Sequence, residues 1–241
     1  MKKLGVLVLV FAMVASVSAQ DLGGLLKKAE DVIEGGDINL SQEDIGNGLK
    51  EALNVGVGKA VDFLSAEDGY FKSPYKILLP EEAQQVIKKV KNVPGFENVE
   101  DELVERLNRA AELAAVKAKP IFISTITQMT FSDAMDILMG EKDAATQYLH
   151  KTTNEQLFKE FMPVIQSSLD EVNAREYWRS VVQTYNKIPF VKKVNPELDE
   201  YVTQKGLDGM YSLIEKKELD IRENQSSRTS DLLTKVFAKQ D

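Results

Sequence analysis

The chain has 241 residues, with 30 basic and 38 acidic side chains, a single histidine and no cysteine. The lack of cysteine excludes disulfides and cysteine nucleophiles, and it leaves too few ligands for an ordinary zinc site. The net charge of −8 disfavours nucleic acid and anionic lipid headgroups, and we find no basic stripe with interleaved aromatic residues.

Residues 1–19 have the layout of a cleaved secretory signal peptide. Lys2 and Lys3 precede the apolar run LGVLVLVFAMVASV, and Val17-Ser18-Ala19 supplies the small residues that signal peptidase recognises. The rival interpretation is an uncleaved N-terminal anchor. No later run is long and apolar enough to cross a bilayer, so the mature chain is predicted to have no transmembrane segment. A cysteine-free exported chain fits the periplasm of a Gram-negative bacterium, or secretion from it.

Residues 20–241 are predicted to form a single all-α domain. Residues 20–40 comprise a short amphipathic helix and the flexible join GGDINLS. Ser41 and Asp44 then start a helix whose apolar residues recur at spacings near four. Glycines in that helix indicate close approach by neighbouring helices: Gly46, Gly48, Gly56 and Gly58.

Two short segments break the helical pattern. Tyr75 to Leu79 lies between Pro74 and Pro80, and Ile188 to Val194 contains Pro189. The segments at 75–79 and 188–194 either pair as one two-stranded ribbon or remain ordered loops.

Helical periodicity accounts for the rest of the chain. The predicted helices are Glu81–Asn92, Val99–Ala118, Ile121–Met139, Asp143–His150, Asn154–Val172, Arg175–Asn186, Glu197–Glu215 and Ser230–Ala238. The fold class is therefore all-α, a compact multi-helix bundle with orthogonal packing.

The segment from Ile121 to Ser132 contains no charge, although 28% of the chain is charged. An exposed face would carry Lys or Glu, so the helix Ile121–Met139 is expected to be central and covered on all sides. One face of this helix is polar but mostly uncharged. Either neighbouring side chains supply hydrogen-bond partners for that face, or it lines a partly polar cavity that admits a ligand. The candidate ligand-binding residues on this helix are Ser124, Gln128, Phe131, Ser132 and Asp136. Asn108, on the preceding helix, is the sixth candidate.

Arg109 and Glu112 are predicted to point away from the buried side of their helix. Glu105 lies four residues before Arg109, which is a favourable spacing for a salt bridge. We expect a surface or inter-helix salt-bridge set here, with a functional site as the alternative.

Arg222 and Arg228 flank a polar segment near the C-terminus. They are predicted to clamp the tail onto the body through acids such as Asp208, and the alternative is that they bind an anionic group.

His150 is the only histidine. It is expected in the last turn of the helix Asp143–His150, where it binds free carbonyls, and Thr152 with Glu155 is expected to cap the next helix. The alternative is a catalytic base or a ligand-binding residue.

A series of short motifs runs through most of the mature chain. They are Asp68-Gly69-Tyr70-Phe71, Lys76-Ile77, Leu79-Pro80, Asn108-Arg109-Ala110-Ala111-Glu112, Ile121-Phe122, Asp133-Ala134, Ile137-Leu138, Gly140, Ala144-Ala145-Thr146, Leu207-Asp208-Gly209, Glu218, Ile221-Arg222, Arg228-Thr229, Leu232-Leu233 and Val236-Phe237. In this order they resemble the bacterial domain-of-unknown-function 4197 family. The resemblance implies an exported, mostly helical protein of Gram-negative bacteria with no established activity, and it transfers no catalytic residues.

The sequence favours a non-enzymatic cell-envelope protein with a binding or structural role. Its ligand would be an unknown protein partner, or an apolar small molecule or lipid in a cavity along Ile121–Met139. The alternative is an envelope hydrolase that uses carboxylates. Two facing acids, one of them buried, would favour the hydrolase, whereas a closed apolar cavity or a large exposed apolar patch would favour binding. We predict no metal, cofactor, catalytic residue or nucleic-acid partner.

Overall fold

Helices follow one another through the computed structural model, which describes residues 41–92, 94, 97–171, 173–194 and 197–238. The described α-helices are α1 (Gln42–Leu64), α2 (Glu81–Val90), α3 (Val99–Ala115), α4 (Ala118–Gln128), α5 (Phe131–Met139), α6 (Ala144–Glu171), α7 (Ala174–Asn186), α8 (Asp199–Glu223) and α9 (Asp231–Phe237). A 3₁₀ turn, Gln225–Ser227, precedes α9. The all-α fold class is confirmed. The predicted signal peptide at 1–19 and the helix and join at 20–40 lie outside the described residues.

The two non-helical segments are extended loops. Neither 75–79 nor 188–194 contains a β-strand, and no strand occurs elsewhere in the described ranges. The alternative of ordered loops is therefore the one observed. Pro80 ends the first loop and precedes α2, where its fixed φ of −62° suits the start of a helix.

The predicted helix Ile121–Met139 is two helices. Thr130 separates them, because its hydroxyl accepts the N–H of Asp133 at 3.1 Å while Asp133 accepts the N–H of Thr130 at 2.8 Å. This reciprocal capping box starts α5 and ends the continuity with α4.

The helices predicted at Asp143–His150 and Asn154–Val172 are one helix, α6. Thr152 does not cap a helix, since its hydroxyl donates to the carbonyl of Tyr148 one turn earlier at 2.7 Å. The helix also continues through Pro163, whose side chain is exposed.

The long helices make the centre of the unit that starts at Gln42. α6 packs against α8 and α3, while α1 packs against α8, α4 and α9, and α2 packs against α7. Large side chains are fully buried between them: Phe122, Phe161, Leu103, Leu107, Leu149 and Leu157. Each such side chain contributes about 1.5–3 kcal/mol of transfer free energy. No helix in the described part of the chain has the length and apolarity to span a bilayer.

Candidate functional site

The six candidate residues from the sequence lie in two separate places. Asn108 is fully buried on α3. On α4 and α5, Phe131 is half-buried and four residues are exposed: Ser124, Gln128, Ser132 and Asp136. The expectation that this region is covered on all sides is wrong, because the apolar Ile123 is also 43% exposed. The structure does not gather the six residues into one pocket, and their binding role stays a prediction.

Asn108 holds the extended loop that precedes α2. Its Oδ1 accepts the N–H of Ile77 at 2.8 Å, and its Nδ2 donates to the carbonyls of Ile77 at 2.8 Å and Val104 at 2.6 Å. The side-chain amide pairs with Ile77 as a neighbouring strand would. Both of its donors are engaged, so its geometry is that of a structural residue.

Arg109 and Glu112 of α3 bind the loop that follows α1. Glu112 is 4% exposed and accepts the N–H groups of Tyr70 and Phe71, each at 3.1 Å. Arg109 donates to Glu112 at 2.8 Å and to Asp68 at 2.8 Å. The predicted salt-bridge set is confirmed, but Glu112 points into the protein and not away from it. This set fixes the loop.

The loop itself needs its glycine. Asp68 has a φ of 67°, and a Cβ on Gly69 would lie 2.3 Å from the carbonyl oxygen of Phe63. Hydrogen bonds from Lys72 and Arg109 hold the pKa of Asp68 below its ordinary value. Asp68 is therefore a structural ion-pair partner. Among the described residues, no three His, Cys, Asp or Glu side chains form a group that could hold a metal ion.

Glu218 binds the first turn of α6. Its Oε1 accepts the N–H of Ala145 at 2.9 Å, and its Oε2 accepts the N–H and hydroxyl of Thr146, both at 2.8 Å. Arg222 donates to Oε1 through Nε at 3.0 Å and Nη2 at 2.9 Å. This buried carboxylate thus meets an opposite charge and two helix N-terminal N–H groups.

Arg222 and Arg228 fasten the C-terminal segment, as predicted, but not through Asp208. Arg222 Nη2 donates to the carbonyl of Ile137 at 2.8 Å, and Arg228 donates to the carbonyls of Ile221 and Arg222 at 3.0 and 2.9 Å. Both guanidinium groups also lie about 6 Å from the ring of Phe237 on α9. The clamp uses backbone carbonyls, one aromatic ring and the carboxylate of Glu218.

A cavity of about 20 Å³ lies beside the Glu218–Arg222 pair. Its wall is otherwise apolar and comes from α1, α6, α8 and α9, with Leu49, Leu53, Val57 and Ile214 among the lining residues. One water needs about 10–15 Å³ by this measure. The cavity is therefore too small for a lipid.

The buried acids do not form a hydrolytic pair. Glu112 and Glu218 are each bound by an arginine and by backbone N–H groups. Asp199 lies at the start of α8, where Gln166 donates to it at 3.0 Å and Arg175 lies 3.4 Å away. Each carboxylate has a cationic partner, although Asp199 shares Arg175 with Asp170 and Glu197, and this is the arrangement of structural ion pairs.

His150 lies on the exposed surface of α6, not at a helix end. Its ring is centred 4.6 Å from the ring of Tyr211 on α8. Both line a shallow groove of about 390 Å³ with Asp208 and Ser212. Asp208 accepts hydrogen bonds from Lys205 and Gln204, and within the described residues His150 makes no hydrogen bond to Asp208 or Ser212. A Ser-His-Asp triad is not assembled here.

A second groove has aromatic walls, and we call it the aromatic groove. Trp178 and Tyr185 of α7 and Tyr201 of α8 line it, and its volume is about 380 Å³. Lys192 and Lys193 come from the loop between these helices. Trp178 is 2% exposed, and its indole N–H has no hydrogen-bond partner in the described part of the chain. The nitrogen is enclosed by protein, so this donor does not itself open into the groove.

A hydrogen bond joins Tyr201 of the aromatic groove to Leu78. Tyr201 donates its hydroxyl hydrogen to the carbonyl of Leu78 at 2.9 Å. This bond places the extended loop that precedes α2 next to the groove. The side chain of Leu78 is 58% exposed. The groove therefore combines aromatic walls with two lysines.

Sequence reasoning missed this groove. The expectation that no basic stretch carries interleaved aromatic residues is wrong for residues 177–196, which contain four basic side chains, four aromatic ones and no acid. That acid-free interval in an acidic chain is the signal that would have found it. The opposite wall, near residues 80–85, is not predictable from local pattern, since it is far away in sequence.

Comparison with known proteins places the chain in a family without assigning it an activity. No curated protein and no solved structure matches the chain. The profile of one family, described as a protein of unknown function, matches residues 39–238, more than four fifths of the sequence. The chain therefore belongs to the DUF4197 family.

Proposed function

We propose that the protein is a non-enzymatic binding protein of the Gram-negative cell envelope, and that the aromatic groove holds an amphipathic ligand with an acidic headgroup. The observation that carries the proposal is the groove itself, in which the aromatic side chains of α7 and α8 lie beside Lys192 and Lys193. The signal-like N-terminus supports the envelope location.

The dimensions of the aromatic groove suit a small ligand. Its volume of about 380 Å³ lies in the usual range of roughly 300–1,000 Å³ for small-molecule sites. Apolar and aromatic side chains supply most of its wall: Pro80, Ala83, Trp178, Tyr185, Val194, Leu198 and Tyr201. Such a wall favours an aliphatic chain or a ring.

The charges at the groove favour an acidic headgroup. Lys192 and Lys193 are exposed at its edge. Glu197 also lines the groove, but Arg179 at 3.2 Å offsets its charge. Glu82 is the other acid in the lining. The two lysines therefore outweigh the remaining acid, and a carboxylate or phosphate would lie beside them.

The hydrolase alternative has less support. A carboxylate mechanism needs an acid and a base that are free to exchange protons with a substrate. Glu112 and Glu218 are held in ion pairs away from the two grooves, apart from the contact of Glu218 with the small cavity.

Trp178 is the only tryptophan, so intrinsic fluorescence reports directly on the aromatic groove. We would titrate the protein with a fatty acid that carries bromine on its chain, because bromine quenches tryptophan at contact range. We expect saturable quenching, which weakens when Lys192 and Lys193 are both changed to Glu. Quenching that is absent or does not saturate would overturn the groove assignment.

A pair of matched variants locates the binding site. Gln85→Phe places a ring in the aromatic groove, and Gln147→Phe places one in the groove beside His150. We expect the first variant to abolish quenching and the second to leave it unchanged. The opposite result would move the ligand to the His150 groove.

The envelope location has its own test. The chain would be expressed with its N-terminal segment and recovered from the periplasm, and its mass would be recorded before and after organic extraction. A mature chain that starts at Gln20 supports export, and an extractable mass names the ligand class. Retention of the chain in the cytoplasm would overturn the proposed location.

A further inference from the structure

The loop that follows α7 borders the aromatic groove, and one side chain closes this loop at its base. Asn186 Nδ2 donates to the carbonyl of Val194 at 3.2 Å, and Asn186 Oδ1 accepts the N–H of Val194 at 3.1 Å. Residues 187–193 are therefore held as a closed loop of the Ω type. Phe190 is its central residue.

Phe190 is held out of the protein. Its side chain is fully exposed at 107%, unlike any other large apolar side chain in the described residues. Its φ is 64°, a left-handed conformation that is unusual for a bulky residue. Pro189 precedes it and fixes the turn. A strained, exposed aromatic residue at a loop tip is a candidate contact for a partner.

Three lysines surround Phe190 in the loop. Lys187, Lys192 and Lys193 are all exposed. No acid occurs between Glu176 and Glu197, so the loop and the helix before it are locally basic in an acidic chain. Pro189 is also exposed, and Ile188 and Val191 are half-buried. The tip thus presents an apolar centre with a cationic surround.

We propose that the loop 187–193 docks on the surface of an anionic lipid bilayer, with Phe190 inserted at the headgroup level and the three lysines on lipid phosphates. Aromatic side chains favour the membrane interface, and lysines near an anionic surface add electrostatic attraction. The proposal takes its setting from the envelope location, but it does not depend on the ligand of the aromatic groove.

The net charge of −8 does not prevent this contact. At physiological ionic strength, charges more than about 8–10 Å away are largely screened. The lipid surface therefore responds mainly to the lysines that touch it. The expectation from composition, that anionic lipid is disfavoured, stays a prediction for the remainder of the surface.

Vesicle sedimentation tests the proposal with the protein recovered from the periplasm. We expect binding to vesicles that contain phosphatidylglycerol, little binding to vesicles of phosphatidylcholine alone, and loss of binding at high salt. Phe190→Ala should raise the lipid concentration for half-binding about tenfold. Changing the three lysines to Glu should raise it roughly a hundredfold or more.

Matched variants separate the loop from general effects. Leu113→Ala removes another apolar side chain, 55% exposed, from α3. Lys59, Lys117 and Lys151 are exposed outside the loop, and changing these three to Glu alters the net charge by the same amount. We expect both controls to bind vesicles as the unchanged protein does. Equal losses in the loop variants and their controls would overturn the proposal, as would retention of binding in both loop variants.

The two proposals fail separately. Phe190 does not line the aromatic groove, so Phe190→Ala should keep the quenching of Trp178 by the brominated fatty acid while losing vesicle binding. Gln85→Phe should do the reverse. Equal binding to phosphatidylcholine vesicles, unaffected by Phe190→Ala, would contradict the docking loop even if the groove ligand is found.

Discussion

The carboxylate of Glu218, near the C-terminal end of α8, accepts the backbone N–H of Ala145 in the first turn of α6 at 2.9 Å. The contact joins two positions 73 residues apart in the chain. An uncapped helix start is unfavourable when it is buried, because the first N–H groups lack partners within the helix. Glu218 supplies those partners, and Arg222 supplies the opposite charge that allows a carboxylate to be buried.

Removing Glu218 should destabilise the protein strongly. Glu218→Ala removes a carboxylate that binds the buried guanidinium of Arg222, and it leaves the N–H groups of Ala145 and Thr146 without this acceptor. We expect a loss of about 3–5 kcal/mol in the free energy of unfolding. Urea unfolding followed by Trp178 fluorescence measures it.

A double-mutant cycle checks that the loss comes from the ion pair. The combined variant Glu218→Ala with Arg222→Met should be destabilised less than the sum of the single variants, by about 1–3 kcal/mol. Glu215 is exposed on the same helix, so Glu215→Ala should change stability by no more than about 0.5 kcal/mol. Strict additivity would contradict the proposed coupling.

Two glycines of α1 should respond in opposite directions to substitution by alanine. A Cβ on Gly48 would lie 2.7 Å from Val236 Cγ2 and 3.1 Å from Leu232 Cγ on α9, so Gly48→Ala should destabilise the protein by about 1–3 kcal/mol. A Cβ on Gly58 would meet no atom within 4 Å, so Gly58→Ala should stabilise it by about 1 kcal/mol. Thermal unfolding of both variants measures the difference. A stabilised Gly48→Ala variant would contradict the close approach of α9.

The helical conformation of these segments and the first residues of several helices were predictable, because both depend on local signals. The periodicity of apolar residues and the punctuation by Pro80 locate α2 at Glu81, and the acidic first turn locates α3 at Val99. The expectation that glycines of α1 allow close approach is confirmed at Gly48, but it is wrong at Gly58, where a Cβ would meet no atom within 4 Å.

The division of the middle of the chain was not predictable from local pattern. Thr130 and Thr152 are each followed three residues later by an acid. Thr130 caps a helix, whereas Thr152 lies inside α6. A tertiary contact accompanies the difference, since the neighbouring Thr153 is buried and bonded to Tyr211 of α8 at 2.9 Å. The same motif thus has two outcomes, and packing decides between them.

The grooves were beyond sequence reasoning for a related reason. The uncharged face of α4 suggested burial, yet Gln128 and Ser124 satisfy one another on the surface at 3.0 Å. The aromatic groove combines side chains from α2, α7 and α8, which meet only in the folded chain. Local composition could point to the basic interval at 177–196 but not to the wall opposite.

Phe190→Gly should separate stability from membrane binding. Glycine adopts a φ of 64° without the steric cost that a side chain carries, so we expect a gain of roughly 1 kcal/mol in the free energy of unfolding. The same change removes the ring, so vesicle binding should fall as it does for Phe190→Ala. Urea unfolding and vesicle sedimentation of one preparation test both effects.

Asn173 provides the control for this change. It also has a positive φ, 53°, between α6 and α7, but asparagine tolerates that region better than phenylalanine. Asn173→Gly should therefore stabilise less than Phe190→Gly and should leave vesicle binding unchanged. A loss of stability in Phe190→Gly would show that the phenylalanine ring packs on the protein.

Alkaline pH should destabilise the protein through Tyr211 and Tyr70. Burial raises the pKa of Tyr211 to about 12, and it raises the pKa of Tyr70 further. The folded state therefore favours the protonated phenol. The stabilisation is complete below the ordinary tyrosine pKa of 10.0 and is lost for Tyr211 as the pH rises from 10 to about 12. Tyr211→Phe should remove that part of the alkaline loss.

Tyrosinate absorbance during a pH titration measures this directly. In the folded protein the phase that belongs to Tyr211 should occur near pH 12, and Tyr211→Phe should abolish it. Tyr148 is only half-buried on the surface of α6, so Tyr148→Phe should remove an earlier phase and leave the late one. If Tyr211→Phe instead removed an early phase, the phenol would be accessible to solvent, and its packing against Phe122 and its bond to Thr153 would not persist in solution.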